Sequence, residues 1–150
     1  MRPTVALIND TSLFENHFGC TLVAQAFREQ FSRVGVELKY AFPREFSLDK
    51  IGSYLDEVDL VVVNGEGSIH HGRRMHLVSV ADHYPAVLVN AVYQSNPHSE
   101  SLGRFLYRAT RESLSAAEIQ KAGFQCDCVQ IFVLPRLSYG HLCGLQRALI

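Results

Sequence analysis

Two short apolar runs restrict the fold of this chain more than any other feature of its sequence. Residues 61–63 and 87–89 contain only valine and leucine, whereas a strand with one solvated face alternates apolar and polar residues. Uninterrupted runs of this kind are typical of strands that helices cover on both faces, as in parallel sheets of α/β proteins. The two runs therefore predict a sheet in the interior of the protein.

The apolar runs belong to a series of β-branched segments that alternate with helical patterns. Strands are predicted over residues 4–9, 37–42, 60–64, 86–92 and 129–134. The clearest helix covers residues 18–34, where apolar side chains recur at helical spacing and Gly35 provides a left-handed stop. Further helices are predicted to begin near Ser47, which is placed to cap, and to cover residues 75–83.

A fourth helix has the best-marked start in the sequence. Ser115 and Glu118 form a capping box, in which each side chain satisfies the first turn, and Gly123 is placed to end the helix. Strands separated by helices need crossover connections, which join parallel strands. The sequence therefore predicts an α/β fold over residues 1–134, a Rossmann-like three-layer sandwich with a mostly parallel sheet.

Composition and charge exclude several classes of protein. With 47% hydrophobic and 19% charged residues, the chain of 150 residues is not of the disordered class, and no stretch is apolar for long enough to span a bilayer. A formal net charge of −1 lacks the excess of positive charge that proteins use to bind nucleic acid. The N-terminus lacks the pattern of a signal peptide, so we expect a cytoplasmic location.

The cysteines and histidines do not predict a metal site. The four cysteines form no repeated pair and are expected to be reduced thiols: Cys20, Cys126, Cys128 and Cys143. His71 and His76 are five residues apart, rather than the three or four that would place them on one helix face as zinc ligands. No metal is expected.

The loops after the strands are where a ligand site is expected, because ligands of open parallel sheets bind beyond the carboxyl ends of the strands. Strongly polar loops are predicted over residues 9–12, 64–71, 90–97 and 108–113. Asn9, Asn64 and Asn90 stand at or near three strand ends and would gather amide groups on one rim. Turn chemistry alone also accounts for each asparagine. The three together favour a hydroxyl-rich ligand such as a sugar.

A glycine-rich segment, Gly65-Glu66-Gly67-Ser68, follows a buried strand. The backbone N–H groups of such turns can approach a phosphate closely. The full G-x-G-x-x-G pattern is absent, since His70 stands where the last glycine would, and the carboxylate of Glu66 would repel a pyrophosphate. We therefore expect no dinucleotide cofactor, and Glu66 favours hydroxyl recognition or general-base chemistry.

Basic and titratable residues flank this segment. His70, His71 and Arg73 form either a solvated surface or a clamp for a phosphate or carboxylate. At the start of the first long helix, His17 either caps the helix or faces a ligand at the rim. Cys20, in the first turn, is expected to pack in the core.

Several of these segments, taken together, resemble the polysaccharide pyruvyl transferase family. The segments are residues 9–12, 17–20, 61–71, 88–94 and 111–115. Their order and spacing fit the first half of such proteins, over about residues 4–125. The resemblance implies one half of a glycosyltransferase-B-like fold and a transferase that moves pyruvate, as a ketal, from phosphoenolpyruvate to a sugar of a surface polysaccharide. It implies no metal and no redox cofactor.

The resemblance also suggests roles for individual residues. Glu66 would accept a proton from the acceptor hydroxyl, and His70 or His71 would act as a general acid or hold the acceptor. Arg73 or Arg111 would bind a phosphate or carboxylate. The other expected substrate contacts are Asn9, Asp10, His17, Asn64, Gly65, Gly67, Ser68, Asn90 and Gln94.

The sequence departs from the family at two places. Family members often have glycine where Glu66 stands, which leaves the acceptor open. They usually continue into a second domain that supplies much of the donor site, whereas residues 135–150 form an apolar, atypical or truncated tail. We therefore expect an incomplete enzyme that a partner subunit or a second domain completes. The alternatives are a non-catalytic carbohydrate-binding module and half of a nucleotide-sugar glycosyltransferase.

Overall fold

The computed structural model describes residues 2–13 and 17–129, which form one six-stranded sheet with helices on both faces. The strands are β1 (Thr4–Ile8), β2 (Glu37–Phe42), β3 (Leu60–His70), β4 (Ala86–Gln94), β5 (Tyr107–Thr110) and β6 (Asp127–Cys128). Their order is β2-β1-β3-β4-β5-β6, and every neighbouring pair is parallel. The predicted Rossmann-like α/β sandwich is confirmed.

Helices connect the strands in the described part of the chain. They are α1 (Phe18–Arg33), α2 (Leu48–Leu55), α3 (His76–Ser79), α4 (Ser101–Arg104) and α5 (Ser113–Lys121). Short 3-10 turns at Thr11–Leu13 and Val80–Asp82 precede α1 and follow α3. Within residues 2–13 and 17–129, no helix is long and apolar enough to cross a membrane.

The central strands β1, β3 and β4 are buried on both faces, as the apolar runs of β3 and β4 predict. Val5 and Leu7 of β1 pack with Phe27 and Phe31 of α1, and Val62 of β3 belongs to the same cluster. The alternate residues of these strands face the opposite side, because successive side chains of a strand point to opposite faces. On that side the sheet packs against residues of α2, α3, α4 and α5: Ile51, Leu55, Leu77, Val78, Leu102, Ala116 and Ile119.

The glycine-rich segment lies inside a strand, which overturns the prediction of a loop over residues 64–71. β3 continues to His70, and β4 continues alongside it, so that Glu66 pairs with Ala91 and His70 with Gln94. The long pairing is possible because the two strands approach closely at Gly65. A Cβ atom there would lie 2.5 Å from the Cβ of Ala91. Gly65 therefore serves strand pairing, and the segment does not form a phosphate-binding turn.

The prediction of a polar loop over residues 108–113 is also wrong, because β5 covers Tyr107–Thr110. Arg108 makes this strand hard to recognise in the sequence, since a charged residue is unusual in a buried strand. Its guanidinium group donates hydrogen bonds to the backbone oxygens of Gln125, Leu102 and Phe105, at 2.7, 3.0 and 2.6 Å. The charged side chain therefore ties β5 to the segments on either side of it.

The start of α5 differs from the predicted capping box. Glu112 is the N-cap, and its carboxylate accepts hydrogen bonds from the backbone N–H groups of Leu114 at 2.8 Å and Ser115 at 2.9 Å. Ser115 therefore lies inside the helix, where its Oγ accepts from the N–H of Tyr93 at 2.8 Å. Glu118 accepts from the backbone N–H of Ser95 instead of completing a capping box. Glu112 caps the helix in place of Ser115 because its carboxylate accepts hydrogen bonds from two otherwise free N–H groups at once.

Ser47 is the N-cap of α2, but its side chain makes no capping hydrogen bond with the described residues, and only its backbone oxygen accepts from Lys50 and Ile51.

The predicted strand over residues 129–134 and the apolar tail over 135–150 lie outside the described residues, except for Val129. The N–H of Val129 donates to the backbone oxygen of Thr110 at 2.8 Å.

Candidate functional site

The order of the strands defines where a ligand crevice forms. The chain passes from β1 to β2 on one side and then crosses to β3 on the other side of β1. In open parallel sheets of this order, ligands bind outside the carboxyl ends of the strands at the point where the order reverses. The end of β1 carries Asn9, Asp10 and Thr11, and the neighbouring part of β3 carries residues 64–68. The predicted site residues of both strands therefore meet at this switch point.

The three asparagines form a hydrogen-bonded network beneath the rim. The Nδ2 of Asn9 donates to the backbone oxygen of Asn64 at 2.5 Å, and the Nδ2 of Asn64 donates back to the oxygen of Asn9 at 3.0 Å. The Nδ2 of Asn90 donates to the Oδ1 of Asn64 at 2.9 Å. Their residue exposure is 0%, 2% and 4% for Asn9, Asn64 and Asn90. The amides thus join three neighbouring strands and shape the floor of the crevice.

The backbone explains why asparagine occupies two of these positions. Asn9 has φ of 63° and Asn90 has φ of 54°, in the left-handed region that asparagine tolerates better than most residues. Among the described residues, the Oδ1 of Asn9 is buried without a hydrogen-bond partner. The alternative based on turn chemistry therefore accounts for the backbone of Asn9 and Asn90, while the side-chain network belongs to the site's architecture.

Glu66 is the charged group at the centre of the switch point. Its Oε2 accepts a hydrogen bond from the Oγ1 of Thr11 at 2.7 Å and lies 3.5 Å from the Nδ2 of Asn64. Its Oε1 lies 3.5 Å from the Sγ of Cys20. Glu66 is partly exposed and has φ of 38°, a backbone conformation that costs free energy and is concentrated at functional sites. These contacts fix the carboxylate of this partly exposed residue beside the turn that follows β1.

Thr11 and Cys20 are partners of Glu66 that the sequence did not reveal. Thr11 directly follows Asn9 and Asp10 in the predicted rim, which was the available signal, but it is 55 residues from Glu66 in sequence. Cys20 is buried, as expected for a core residue, and it also contacts the site. The parallel pairing of β1 with β3 brings Thr11 to Glu66, and α1 carries Cys20 to the same carboxylate.

His17 lies beside this cluster at the start of α1. It occupies the N-cap position and its side chain makes no capping hydrogen bond with the described residues. Its Nδ1 lies 3.7 Å from the Sγ of Cys20, and the side chain is exposed. His17 is therefore the N-cap by position and not by a side-chain hydrogen bond, and its role at the rim stays a prediction.

Asp10 is predicted to contact substrate, but its carboxylate is occupied within the protein. Its Oδ2 lies 2.6 Å from the Nη2 of Arg28, and its Oδ1 accepts from the hydroxyl of Ser12 at 2.6 Å. The side chain of Asp10 is fully buried, whereas that of Arg28 is 43% exposed. This ion pair ties the end of β1 to α1 and thereby holds the turn that carries Thr11.

The histidine pair lies away from Glu66. His70 is four residues beyond Glu66 in β3, so the two backbone positions are separated by up to about 13 Å at the usual rise per residue of a strand. The rings of His70 and His71 meet edge to face with centroids 5.4 Å apart, and the N–H of His71 donates to the backbone oxygen of Gln94 at 2.8 Å. Arg73 follows in the same turn and is exposed. The structure therefore groups these four residues at the far end of β3 and β4, apart from the switch point.

Arg111 is a basic residue that the fold brings to the glycine-rich segment of β3. A Cβ atom on Gly67 would lie 3.8 Å from the Nη2 of Arg111, so the guanidinium group lies over this glycine. Ser68, the next residue, is buried with its Oγ 3.4 Å from the Nδ2 of Asn9. The segment from Glu66 to Ser68 thus contacts β1 on one side and Arg111 on the other.

The fold and the site define a class of protein. Within the described part of the chain, no group of three or more His, Cys, Asp or Glu side chains could hold a metal ion. No protein-family model matches the chain, and no curated protein matches its sequence. The chain has a Rossmann-like α/β fold in which the carboxylate of Glu66 and its polar partners lie at the β1/β3 switch point.

Proposed function

We propose that this domain binds the sugar acceptor of a pyruvyl transferase-like reaction. In that reaction pyruvate passes from phosphoenolpyruvate to two hydroxyl groups of a sugar in a surface polysaccharide, as a ketal. The observation that supports the proposal most is the carboxylate of Glu66, held by Thr11 at 2.7 Å and partly open to solvent at the switch point. A fixed carboxylate is suited to accept hydrogen bonds from sugar hydroxyls.

The chemistry assigns Glu66 the role of base. One sugar hydroxyl adds to C2 of the enolpyruvyl group while the methylene carbon gains a proton, and a second hydroxyl then displaces phosphate. Each attacking hydroxyl must lose its proton, and a carboxylate within hydrogen-bond reach can accept it. Thr11 engages Oε2 of Glu66, and Oε1 has only the more distant Sγ of Cys20 as a described partner. In this proposal Oε1 receives the hydroxyl.

The proton for the methylene carbon and the site for the leaving phosphate need other groups. The resemblance suggests His70 or His71 as the general acid, but the methylene carbon is bonded to the carbon that the hydroxyl attacks, and His70 lies up to about 13 Å from Glu66 along β3. In this proposal the proton therefore comes from the group that completes the donor site. A partner subunit or a second domain is proposed to complete the donor site, in line with the family resemblance. We place this reaction in the cytoplasm.

A second candidate function is a carbohydrate-binding module without catalysis. The separation of His70 and His71 from Glu66 favours it, because a general acid and a general base four residues apart along a strand do not converge on one reacting carbon. Such a module would bind sugars through Glu66 and the rim and would not bind phosphoenolpyruvate.

Isothermal titration of the full chain tests both candidates. The titrants are a panel of neutral hexoses, phosphoenolpyruvate and nucleotide sugars, and the variant is Glu66→Gln, which keeps the shape and removes the charge. Glu29→Gln, on the exposed face of α1, is the matched control. We expect sugar binding by the wild type, weakened about tenfold or more in Glu66→Gln and unchanged in the control.

The titrants separate the outcomes. Binding of both a sugar and phosphoenolpyruvate supports the transferase, whereas sugar binding alone supports the module. Binding of nucleotide sugars alone would replace both with a nucleotide-sugar transferase. A wild type that binds no sugar contradicts the proposed function.

A further inference from the structure

The two oxygens of the Glu66 carboxylate are bonded unequally. Oε2 accepts from the hydroxyl of Thr11 at 2.7 Å and has the Nδ2 of Asn64 at 3.5 Å, whereas the described partner of Oε1 is the thiol of Cys20, with Sγ at 3.5 Å. A hydroxyl group is a good hydrogen-bond donor and a thiol is a weak one. The carboxylate is therefore anchored through Oε2, while Oε1 keeps most of its capacity to accept a hydrogen bond.

A second acceptor of the same network is short of a donor. The Oδ1 of Asn9 is buried without a hydrogen-bond partner among the described residues, and the exposure of this residue is 0%. Asn64 connects it to the carboxylate, because the Nδ2 of Asn64 donates to the backbone oxygen of Asn9 at 3.0 Å and lies 3.5 Å from Oε2 of Glu66. Buried polar groups without partners are rare in proteins. The switch point is thus poor in donors, and a ligand that carries hydroxyl groups supplies them.

The thiol of Cys20 lies within hydrogen-bond reach of two acceptors. Besides Oε1 of Glu66 at 3.5 Å, the Nδ1 of His17 lies 3.7 Å from Sγ. Nδ1 accepts in the tautomer that carries its proton on Nε2. A thiol has one hydrogen and donates it to one acceptor at a time, and rotation about the Cβ–Sγ bond redirects that hydrogen without moving Sγ. Cys20 is buried in the first turn of α1, so Sγ itself is held in place.

We propose that the thiol of Cys20 donates to Oε1 of Glu66 in the free protein, gives way there to a hydroxyl of the ligand, and then donates to Nδ1 of His17. The hydroxyl displaces the thiol because it is the stronger donor, and the thiol keeps an acceptor, so the exchange leaves neither group without a hydrogen bond. Cys20 is then a positioning residue, which acts on the ligand through Glu66.

The inference rests on the proposed function and deepens it. It identifies the part of the ligand that Glu66 receives as an uncharged hydroxyl group, bound at Oε1 while Thr11 keeps Oε2. It also gives His17 a role other than contact with the substrate, because the imidazole receives the hydrogen that the ligand displaces.

Infrared spectroscopy of the thiol groups in the full chain tests the exchange. The S–H stretch lies where proteins absorb little else, and its frequency falls when the hydrogen is donated to a strong acceptor. The difference between wild type and Cys20→Ala assigns the band of Cys20. Cys128→Ala assigns the band of an exposed thiol in β6, which serves as the control for general effects of the solvent. Thermal unfolding of each variant checks that the fold is intact.

The first comparison needs no ligand. Glu66→Gln should raise the frequency of the Cys20 band, since an amide oxygen is a weaker acceptor than a carboxylate. His17→Ala should leave the frequency unchanged, because the thiol donates to Oε1 in the free protein. A Cys20 band that does not respond to Glu66→Gln would overturn the inference.

The second comparison adds a neutral hexose or glycerol, which is a hydroxyl donor but not a sugar. Either probe should move the Cys20 band of the wild type and leave the Cys128 band in place. In His17→Ala the band should move to a higher frequency than in the wild type, because Nδ1 is no longer there to accept the displaced hydrogen. If neither probe moves the band, the inference is wrong.

The affinity for the hexose distinguishes the exchange from a thiol that only fills space. Cys20→Ala should bind the hexose within about twofold of the wild type, or more tightly, because it removes a competing donor and no contact with the ligand. A side chain that only packs would leave a cavity when truncated, so binding weakened by more than about twofold in a folded Cys20→Ala would contradict the exchange.

The two probes separate this inference from the proposed function. A hexose that binds without moving the Cys20 band overturns the inference and leaves the sugar site standing. If glycerol moves the band and no hexose binds, the exchange at Oε1 stands and the sugar acceptor is wrong.

Discussion

Gly65 and Gly67 stand two residues apart in β3, but only Gly65 has a packing reason to lack a side chain. A Cβ atom on Gly65 would lie 2.5 and 2.6 Å from the Cβ and Cα atoms of Ala91, whereas the nearest atom to a Cβ on Gly67 would be 3.8 Å away. We predict that Gly65→Ala lowers the free energy of unfolding by roughly 1–3 kcal/mol through overpacking of β3 against β4.

Gly67→Ala is the matched control for this prediction, since it adds the same methyl group to the same strand. Its effect on the free energy of unfolding should be about 0.5 kcal/mol or less, as for substitutions away from packed features. Urea unfolding of both variants and the wild type measures the difference. Equal stability of the two variants would show that β3 and β4 do not approach each other as closely as described.

The individual residues of the site were predictable to different degrees. Glu66 stood out in the sequence because a carboxylate is unusual between two glycines after a buried strand. Its contact with Thr11 was not predictable, because it depends on which strand lies next to β3. The asparagines were predicted at strand ends, but Asn64 and Asn90 lie inside β3 and β4, and their burial follows from mutual hydrogen bonds that no local pattern encodes.

At the level of single elements, the N-terminus of α5 gives a prediction that depends on pH. The hydroxyl of Ser115, above all, holds the pKa of Glu112 below its ordinary value of 4.5, and burial opposes this shift. A carboxyl whose pKa is lower in the folded state stabilises the fold fully above pH 4.5. The contribution is lost as the pH falls through the lowered pKa.

We predict that Glu112→Ala lowers the free energy of unfolding by about 1 kcal/mol at pH 7, because two N–H groups of α5 lose their acceptor. The difference from wild type should shrink as the pH falls below 4.5, where protonation removes the charge of the wild-type carboxylate. Glu112→Ser, which supplies a different capping oxygen, should recover part of the loss. Thermal unfolding at intervals of about half a pH unit between pH 3 and pH 7 measures how the difference in stability between variant and wild type changes. A difference in stability that does not change with pH would contradict the role of the ionised carboxylate.

The strength of each element's own pattern decided whether it could be predicted. The periodicity of α1 and the alternation of polar and apolar residues at the start of β2 placed both elements, and β2 has the predicted bounds. β5 has only four residues, and Tyr107 and Arg108 interrupt the apolar pattern by which a buried strand is recognised. α4 is a single turn of four residues, which is too short to show a helical period. The extension of β3 was missed because glycine is depleted in strands and weakens their interior.

At the scale of the whole molecule, the parallel order of the strands creates the site. Helices between strands predicted parallel pairing, and short right-handed crossovers limit the arrangements, but the position of β1 between β2 and β3 is set by packing of the whole sheet. That position brings Thr11 to Glu66, and the register of β3, β4 and β5 brings Arg111 towards Gly67. A change in strand order would separate all of these groups.

The most direct test of the account is to map where a sugar binds by amide NMR of the full chain. The switch-point proposal predicts that a bound hexose shifts the signals of Thr11, Glu66 and Gly67, with smaller shifts at His71. Residues at the opposite, amino edge of the sheet, such as Thr4 and Asp59, should keep their positions. Shifts confined to the turn around His71, or absent at every sugar concentration up to about 100 mM, well above the roughly 1 mM of weak specific binding, would contradict the account.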